Sequence, residues 1–427
     1  LLAGSYALYA AWDFRFLGVL LLCTALDFFF AQWISNESSK RIRKWLAGVS
    51  IVGNLAILGC FKYLYFFSGL FGFKPSEWAP LYIPLGISFY TFHSISYIVD
   101  VYRKRVPAIL SPVNYALYVS FFPKLIAGPI ERVERFLPQI TEKKFFRSEL
   151  FERALKIFLL GLFLKLCVGD RLSYVAAQAF DSKLAPGSVL AWAGLYAFTF
   201  QIYADFLGYT LIATGSALFF GIELSKNFNH PYLSATPQDF WRRWHISLST
   251  WFRDYVYLPL GGNRTLRTRN ILITMVVAGL WHGADLKFIA WGLFHGLILA
   301  AQLFIVGGNR ELSRTQRWLG IFLTFHLVAL GWVFFRSQSF SHALEYFSFL
   351  FQWPSPPNRQ TWALCVWVLF LLAIWQTVWF LQRKVITGAR GSNFLISIAG
   401  YFFMGLLLMI TILLGVTGAE PFLYFHF

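Results

Sequence analysis

The chain has 427 residues, of which 57% are apolar and only 13% are charged. A typical soluble protein carries about 25% charged residues, so this chain has too few to cover the surface of a soluble domain of its size. The composition excludes an ordinary soluble protein and indicates an integral membrane protein with many spans.

The formal net charge of +17 comes from 37 Lys and Arg against 20 Asp and Glu. The basic residues fall in short clusters between apolar runs, as in the cytoplasmic loops of membrane proteins. We therefore attribute the charge to membrane topology and expect the lipid bilayer, and no nucleic acid, as the partner. The four cysteines lie singly in apolar runs, which predicts neither a disulfide framework nor a zinc site.

Apolar runs that are long enough to cross a bilayer recur along the chain. The candidates are Phe14–Trp33, Ala47–Phe67, Leu81–Tyr102, Phe151–Val168, Val189–Phe220, Ile321–Phe335, Trp362–Leu381 and Phe394–Leu414. The stretch Ile271–Ile305 is too long for one crossing, so we expect two spans hinged around Gly279–Asp285.

Assigning every basic cluster to the cytoplasm makes the loops alternate sides, provided that Tyr115–Ala127 re-enters the membrane instead of crossing it. The expected fold class is all-α, a polytopic membrane protein with about 10–12 transmembrane helices plus re-entrant and interfacial helices. No internal repeat is visible, so residues 1–427 are expected to form a single membrane domain. Because the chain begins with Leu1 and not Met, we expect the N-terminus to be truncated.

The least lipid-like segment comprises residues 223–269 and is expected at the cytoplasmic interface. Thr236 is a good N-cap, Pro237 suits the first helical position, and Asp239 completes a pattern like a capping box. The 3–4 spacing predicts one amphipathic helix from here onward, lying at the membrane interface. Its aromatic face would carry Trp241, Trp244, Leu248, Trp251 and Tyr255, and its polar face Arg242, His245, Ser249 and Arg253.

These residues have a structural interpretation beside a functional one. The tryptophans could be interfacial anchors and the arginines cytoplasmic markers, whereas His245 lies among hydrogen-bond donors on a face that could border a polar cavity. His282 lies inside an apolar stretch between Gly279 and Gly283. It is either a core histidine that bonds a helical carbonyl or a general base that deprotonates a hydroxyl.

Asp205 and Tyr209 place a carboxylate and a phenol four residues apart within a predicted span. They could line a polar tunnel or hydrogen-bond each other. The remaining histidines considered are expected to be structural, namely His93, His230, His295 and His326. The chain contains no phosphate-binding glycine-rich loop, no His-Glu-x-x-His and no Gly-x-Ser-x-Gly, so a nucleotide-driven pump or a membrane metalloprotease has little support.

Several motifs together resemble the membrane-bound O-acyltransferase family, and most closely its bacterial alginate O-acetyltransferase branch, which is related to the D-alanyl transferase of teichoic acid modification. They cover almost the whole chain in order. They are Pro84-Leu-Gly-Ile-Ser-Phe-Tyr-Thr-Phe92, Phe121-Phe-Pro-Lys-Leu-Ile-Ala-Gly-Pro-Ile130, Phe240-Trp-Arg-Arg-Trp-His-Ile-Ser-Leu-Ser-Thr-Trp-Phe-Arg-Asp-Tyr255, Leu260-Gly-Gly-Asn-Arg264, Gly279-Leu-Trp-His-Gly283 and Pro421-Phe-Leu-Tyr-Phe-His-Phe427.

The resemblance implies helices around a central tunnel, with His282 as the catalytic histidine and His245 lining the same tunnel. It implies an acyl thioester donor, either acetyl-CoA or a phosphopantetheine carrier, and no tightly bound cofactor or metal. Short acyl transfer, expected to be acetylation, would modify an exopolysaccharide such as alginate at the bacterial cytoplasmic (inner) membrane. The acceptor would be an extracytoplasmic relay transferase or the polysaccharide itself.

The acyl thioester donor that the resemblance implies suggests which residues bind substrate. Arg242 and Arg253, with Arg243, would hold a phosphate of the donor, and an indole of Trp281 or Trp244, or His245, would stabilise the oxyanion. Substrate contacts are also expected from Trp241, Ser249, Asp205 and Tyr209. Related chains have a serine and an acidic residue where this chain has Leu207 and Leu211, so its acceptor or partner could differ.

Three alternatives remain open at this point. The chain could transfer D-alanine or another acyl group in cell-envelope modification. It could instead transport an anionic lipid or sugar without chemistry, or serve only as a scaffold that docks a partner transferase.

Overall fold

The computed structural model describes residues 1–70, 72, 83–125, 128–181, 186–305, 313–353, 357–388 and 394–415. Over these ranges the chain is α-helical and contains no β-strand. The helices are α1 (Leu2–Asn36), α2 (Lys40–Leu58), α3 (Leu64–Leu70), α4 (Ile87–Tyr102), α5 (Pro112–Ser120), α6 (Phe122–Leu125), α7 (Val133–Thr141), α8 (Ser148–Phe163), α9 (Asp170–Phe180), α10 (Ser188–Phe219), α11 (Pro237–Arg243), α12 (Ile246–Phe252), α13 (Arg267–His282), α14 (Leu286–Ile305), α15 (Arg314–Arg336), α16 (Phe340–Leu350), α17 (Arg359–Gly388) and α18 (Phe394–Leu414). Short π-helical turns occupy Gly59–Tyr63, Leu164–Gly169 and Arg253–Tyr257, and Pro231–Leu233 forms a 3₁₀ turn.

Five helical stretches of the described residues are long and apolar enough to cross a membrane, judged by length and composition. They are Leu2–Asn36, Lys40–Gly69, Ser188–Phe219, Leu286–Phe304 and Arg314–Arg336. Shorter apolar helices are Arg359–Ile374 and Met404–Leu413. The expected all-α, polytopic membrane fold is confirmed, whereas the larger number of spans stays a prediction. The motif Pro421–Phe427 lies outside the described residues.

The chain divides into two compact units. The first contains residues 1–154, 213–227 and 246–260, and the second contains residues 155–212, 228–245 and 261–427. Each unit is assembled from three separate segments of the chain, and the single membrane domain stays a prediction.

In the first unit, a buried carboxylate connects α1 and α2 through hydrogen bonds. Asp27 in α1 accepts hydrogen bonds from Ser50 Oγ and Asn54 Nδ2 of α2, each at 2.7 Å. A carboxylate buried among apolar helices needs such donors, because it has no water to solvate it. The segment expected to re-enter the membrane forms α5 and α6, separated at Phe121. With 9 residues, α5 is about 14 Å long and too short to cross a bilayer.

In the second unit, α13 and α14 form a helical hairpin that brings the two backbones into contact at glycines. A Cβ on Gly279 would lie 2.1 Å from the Phe288 carbonyl oxygen, and one on Gly292 would lie 2.3 Å from that of Met275. Residues 271–305 divide into two helices as expected, but among the described residues only Leu286–Phe304 of this stretch is long and apolar enough to cross a membrane, so the second span stays a prediction. The chain turns at residues 283–285, so Gly279 lies inside α13 and serves close packing, and His282 is the last residue of α13.

The expected continuous amphipathic helix is wrong, although its beginning is confirmed. Thr236 Oγ1 caps α11 by accepting the Asp239 N–H at 3.1 Å. The helix ends at Arg243 because the backbone of Trp244 is extended, with φ of −100° and ψ of 129°, and His245 then adopts a left-handed conformation with φ of +40°. The Asn229 N–H donates to the Arg243 carbonyl at 2.9 Å, which fixes the chain just before this break. The predicted aromatic face is therefore divided between α11, α12 and the π-helical turn Arg253–Tyr257.

Candidate active site

His245 is almost fully enclosed, with 1% of its surface exposed. Its imidazole packs edge-to-face against Phe206, with ring centroids 4.6 Å apart, and contacts Trp281 at 6.4 Å. Burial lowers the pKa of His245 to about 3, because a charged imidazole would lose its hydration. The side chain is therefore neutral at physiological pH.

His282 lies at the C-terminal end of α13 inside a box of aromatic rings. Its ring centroid is 5.0 Å from that of Trp281, 5.0 Å from that of Trp291 and 5.2 Å from that of Phe335. The side chain is buried. These neighbours come from α13, α14 and α15, so the hairpin and one further helix enclose the imidazole.

Trp281 links the two histidines, because its indole contacts both His245 and His282. Two residues from distant sequence motifs therefore border the same aromatic side chain within the second unit. The sequence-derived pairing of these histidines rested on resemblance, and their shared role at one site stays a prediction. An imidazole beside rings of low polarity can take up or release a proton without competition from bulk water.

The tryptophans of α11 and of the residue after it face the protein interior. Trp244 is 1% exposed and packs against Tyr203, Phe228 and Trp332. Trp241 contacts Trp291 at 5.7 Å. Trp244 is therefore part of the core and not an anchor exposed at the membrane interface.

The candidate arginines divide between the two units. In the second unit, Arg242 is exposed and Arg243 pairs with Asp239 at 3.0 Å. In the first unit, Arg253 pairs with Asp254 at 2.8 Å, and Ser249 is half-buried.

Sequence reasoning missed two further arginines of the first unit. Arg132 pairs with Asp254 at 3.2 Å and stacks over the Tyr255 ring at 4.4 Å. Arg103 lies over the same ring at 5.9 Å. Both belong to basic clusters, residues 103–105 and 132–147, that we expect in cytoplasmic loops. The sequence carries no signal that their side chains contact Asp254 and Tyr255.

Asp205 forms an ion pair with a buried lysine. Lys165 places its Nζ 2.6 Å from Asp205 Oδ1 and 2.6 Å from Asp170 Oδ1, and all three side chains are buried. The Lys165 ammonium also lies 5.3 Å from the centre of the Tyr209 ring. Neither sequence-derived alternative included this lysine. Leu207 and Leu211 pack, half-buried, against the hydrophobic core of the second unit.

Comparison with known proteins identifies the family of the chain. Residues 9–338 match the sequence model of MBOAT, the membrane-bound O-acyltransferase family. The chain is 38% identical to a probable alginate O-acetylase of Azotobacter vinelandii over 364 residues, which cover 82% of this chain and 72% of the relative. It is 35% identical to a peptidoglycan O-acetyltransferase of Helicobacter pylori over 378 residues, covering 81% and 72%.

A more distant similarity extends to a teichoic acid D-alanyltransferase of Bacillus subtilis. The identity is 31% over 280 residues, which cover 60% of this chain and 70% of the relative. The resemblance inferred from the motifs is confirmed by these matches. The chain is therefore a multi-pass membrane protein with O-acyltransferase activity, and it belongs to the membrane-bound O-acyltransferase family.

Proposed function

We propose that the chain moves an acetyl group from a cytoplasmic thioester donor to a hydroxyl acceptor, in the modification of a cell-surface or secreted polysaccharide. The observation that carries this proposal is the shared Trp281, which contacts both candidate histidines. The names of the relatives favour acetyl as the acyl group and a polysaccharide or peptidoglycan as the final acceptor. The bacterial sources of these relatives, together with the apolar helices of the chain, support the bacterial cytoplasmic membrane as the proposed location.

His282 would act as the general base. Its unprotonated nitrogen takes the proton of the acceptor hydroxyl while the oxygen attacks the thioester carbonyl carbon. The C=O electron pair moves to oxygen and gives a tetrahedral oxyanion. Collapse of this oxyanion re-forms the C=O bond and expels the thiolate, which takes the proton from His282. The buried, neutral His245 would be a hydrogen-bonding group beside the same indole.

A phosphate-bearing donor would meet basic residues of the cytoplasmic segment. Arg242 is exposed and available for an anion, and Arg253 is held by the Asp254 carboxylate. Guanidinium groups bind phosphate with paired hydrogen bonds, so either coenzyme A or a phosphopantetheine arm fits this chemistry. The acceptor is then an extracytoplasmic relay transferase or the polysaccharide. Transfer of D-alanine would place a different acyl group in the same reaction.

The test compares the wild type with His282→Ala in proteoliposomes, with His342→Ala as a matched control. His342 is a half-buried histidine of α16 that accepts a hydrogen bond from the Gln338 N–H at 3.2 Å. Radiolabelled acetyl-CoA or acetylated carrier protein is supplied on the cytoplasmic face, with acceptor on the other. We expect label on the acceptor with the wild type and the control, and a loss of at least about 10³-fold with His282→Ala.

The outcomes separate the alternatives. A transporter would carry label across with His282→Ala and form no ester in any variant. A scaffold would tolerate loss of both histidines. Equal ester formation by the wild type and His282→Ala would remove His282 from the catalytic role.

A further inference from the structure

Among the buried ring nitrogens of the second unit that have no hydrogen-bond partner are those of three side chains that pack together. They are the indole nitrogens Nε1 of Trp241 and Trp291 and the imidazole nitrogen Nε2 of His295. Trp291 and His295 are 1% and 2% exposed, and Trp241 is half-buried. Burial of a polar group without a partner is unfavourable, and it is rare enough in native proteins to require an explanation.

The three side chains form one cluster. The Trp241 ring lies 5.2 Å from that of His295 and 5.7 Å from that of Trp291, and the Trp291 and His295 rings are 5.0 Å apart. The pairs meet at interplanar angles of 86°, 76° and 66°. These edge-to-face contacts account for the packing of the rings, but each of the three rings carries a buried nitrogen without a partner.

A glycine on a neighbouring helix makes room for this arrangement. A Cβ on Gly331 of α15 would lie 2.7 Å from His295 Nε2. Any larger residue at position 331 would push the imidazole of His295 away from the Trp241 and Trp291 rings that it contacts. The position of His295 therefore depends on the absence of a side chain at residue 331.

The cluster borders the proposed catalytic base. The Trp291 ring contacts His282 on one side and His295 on the other, each with centroids 5.0 Å apart. Groups that can donate a hydrogen bond thus lie one aromatic ring away from the imidazole that would generate the nucleophile. A polar atom of a bound substrate is the partner that such groups lack.

Given the proposed function, we propose that Trp241, Trp291 and His295 form the binding site for the carbonyl oxygen of the acyl thioester. The two indole N–H groups and the Nε2–H tautomer of His295 would donate to this oxygen. When the acceptor oxygen bonds to the carbonyl carbon, the C=O electron pair moves to oxygen and the three donors stabilise the oxyanion. The C=O bond re-forms as the carbon–sulfur bond breaks, and the thiolate takes the proton held by His282.

Substitutions that keep the ring and remove the N–H test this assignment. We expect Trp241→Phe and Trp291→Phe each to lower kcat by about 10²-fold while the KM for the donor changes less than about twofold. Trp192→Phe is the matched control, because the Trp192 indole already donates to the Leu350 carbonyl at 3.0 Å. It should keep wild-type kcat. His295→Gln, which retains an N–H, should keep more activity than His295→Leu.

A spectroscopic measurement separates donation from a structural role. In a His282→Ala background the thioester stays intact, so the infrared stretch of a [1-¹³C]acetyl donor can be recorded while bound. We expect the carbonyl stretch to lie at lower frequency than in water-free solvent, and to shift back when Trp291→Phe is added. An unchanged stretch in the Trp291→Phe protein would overturn the proposal, as would wild-type kcat in both Phe variants.

The proposed function and this inference can fail separately. If His282→Ala transfers acetyl at the wild-type rate, the assignment of the base fails. If His282→Ala is inactive but both Phe variants match Trp192→Phe, the base assignment holds and the carbonyl site is elsewhere.

Discussion

His245 is a buried histidine of the candidate site. Burial lowers its pKa to about 3, whereas an unfolded histidine titrates near pH 6.5. Between these values only the unfolded chain binds the proton, so His245 makes the protein less stable as the pH falls below about 6.5, by roughly 1.4 kcal/mol per pH unit.

Thermal unfolding in detergent at pH 7 and pH 5 measures this effect. The drop in Tm between the two pH values should be smaller for His245→Gln than for the wild type. The other buried histidines are common to both proteins and cancel in the comparison. Identical pH dependence of the two proteins would contradict the lowered pKa.

Lys165 is the residue on which the Asp205 cluster depends. With Lys165→Met, Asp170 and Asp205 would remain buried without their shared cation, which we expect to cost about 3–5 kcal/mol. Asp205→Asn should cost less, because Lys165 keeps Asp170 at 2.6 Å. Tm values check this order, and an equal loss for the two variants would contradict it.

A separate kinetic measurement tests the predicted role of Asp205 in substrate binding. A raised acceptor KM for the folded Asp205→Asn protein would support that role.

At the scale of the helices, glycines decide whether α13 can hold His282 against α14. Gly279→Ala places a methyl group 2.1 Å from the Phe288 carbonyl oxygen, so the hairpin must open. We expect a loss of stability of about 1–3 kcal/mol and a fall in transferase activity. Gly53→Ala in α2 is the matched control, because a Cβ there meets no atom within 4 Å. Activity and Tm of the two variants provide the measurement, and equal values would contradict the packing role.

Local signals predicted some helix boundaries and missed others for a physical reason. The Thr236 cap depends on residues within one turn, so sequence alone identified the start of α11. The break at His245 depends on the Asn229 N–H, which bonds the Arg243 carbonyl from another segment. Lys165 was missed in the same way, because its carboxylate partner Asp205 lies in a different helix. Contacts between segments distant in sequence leave no periodic pattern.

At the scale of the whole molecule, composition was sufficient to predict an all-α membrane protein. The 13% of charged residues cannot cover a soluble surface, and the apolar runs recur at the length of a bilayer. The arrangement of residues in the candidate site was harder to predict from the sequence. The family resemblance supplied His282 and His245, but the cluster of Trp241, Trp291 and His295 depends on α11 packing against α14. His295, considered alone, resembled a structural histidine.

The sidedness of the chain determines where donor and acceptor meet, and the basic loops make it testable. Lys143 lies in the cluster of residues 132–147, which we expect in the cytoplasm, and Ser341 lies in a less basic loop, expected outside. Both residues are exposed. In a background without the native cysteines, a membrane-impermeant maleimide should label Ser341→Cys in intact cells or spheroplasts, and Lys143→Cys only after lysis. Labelling of both residues from the same side would contradict the topology. It would also remove the basis for a cytoplasmic donor at Arg242 and Arg253, because thioester donors are made inside the cell.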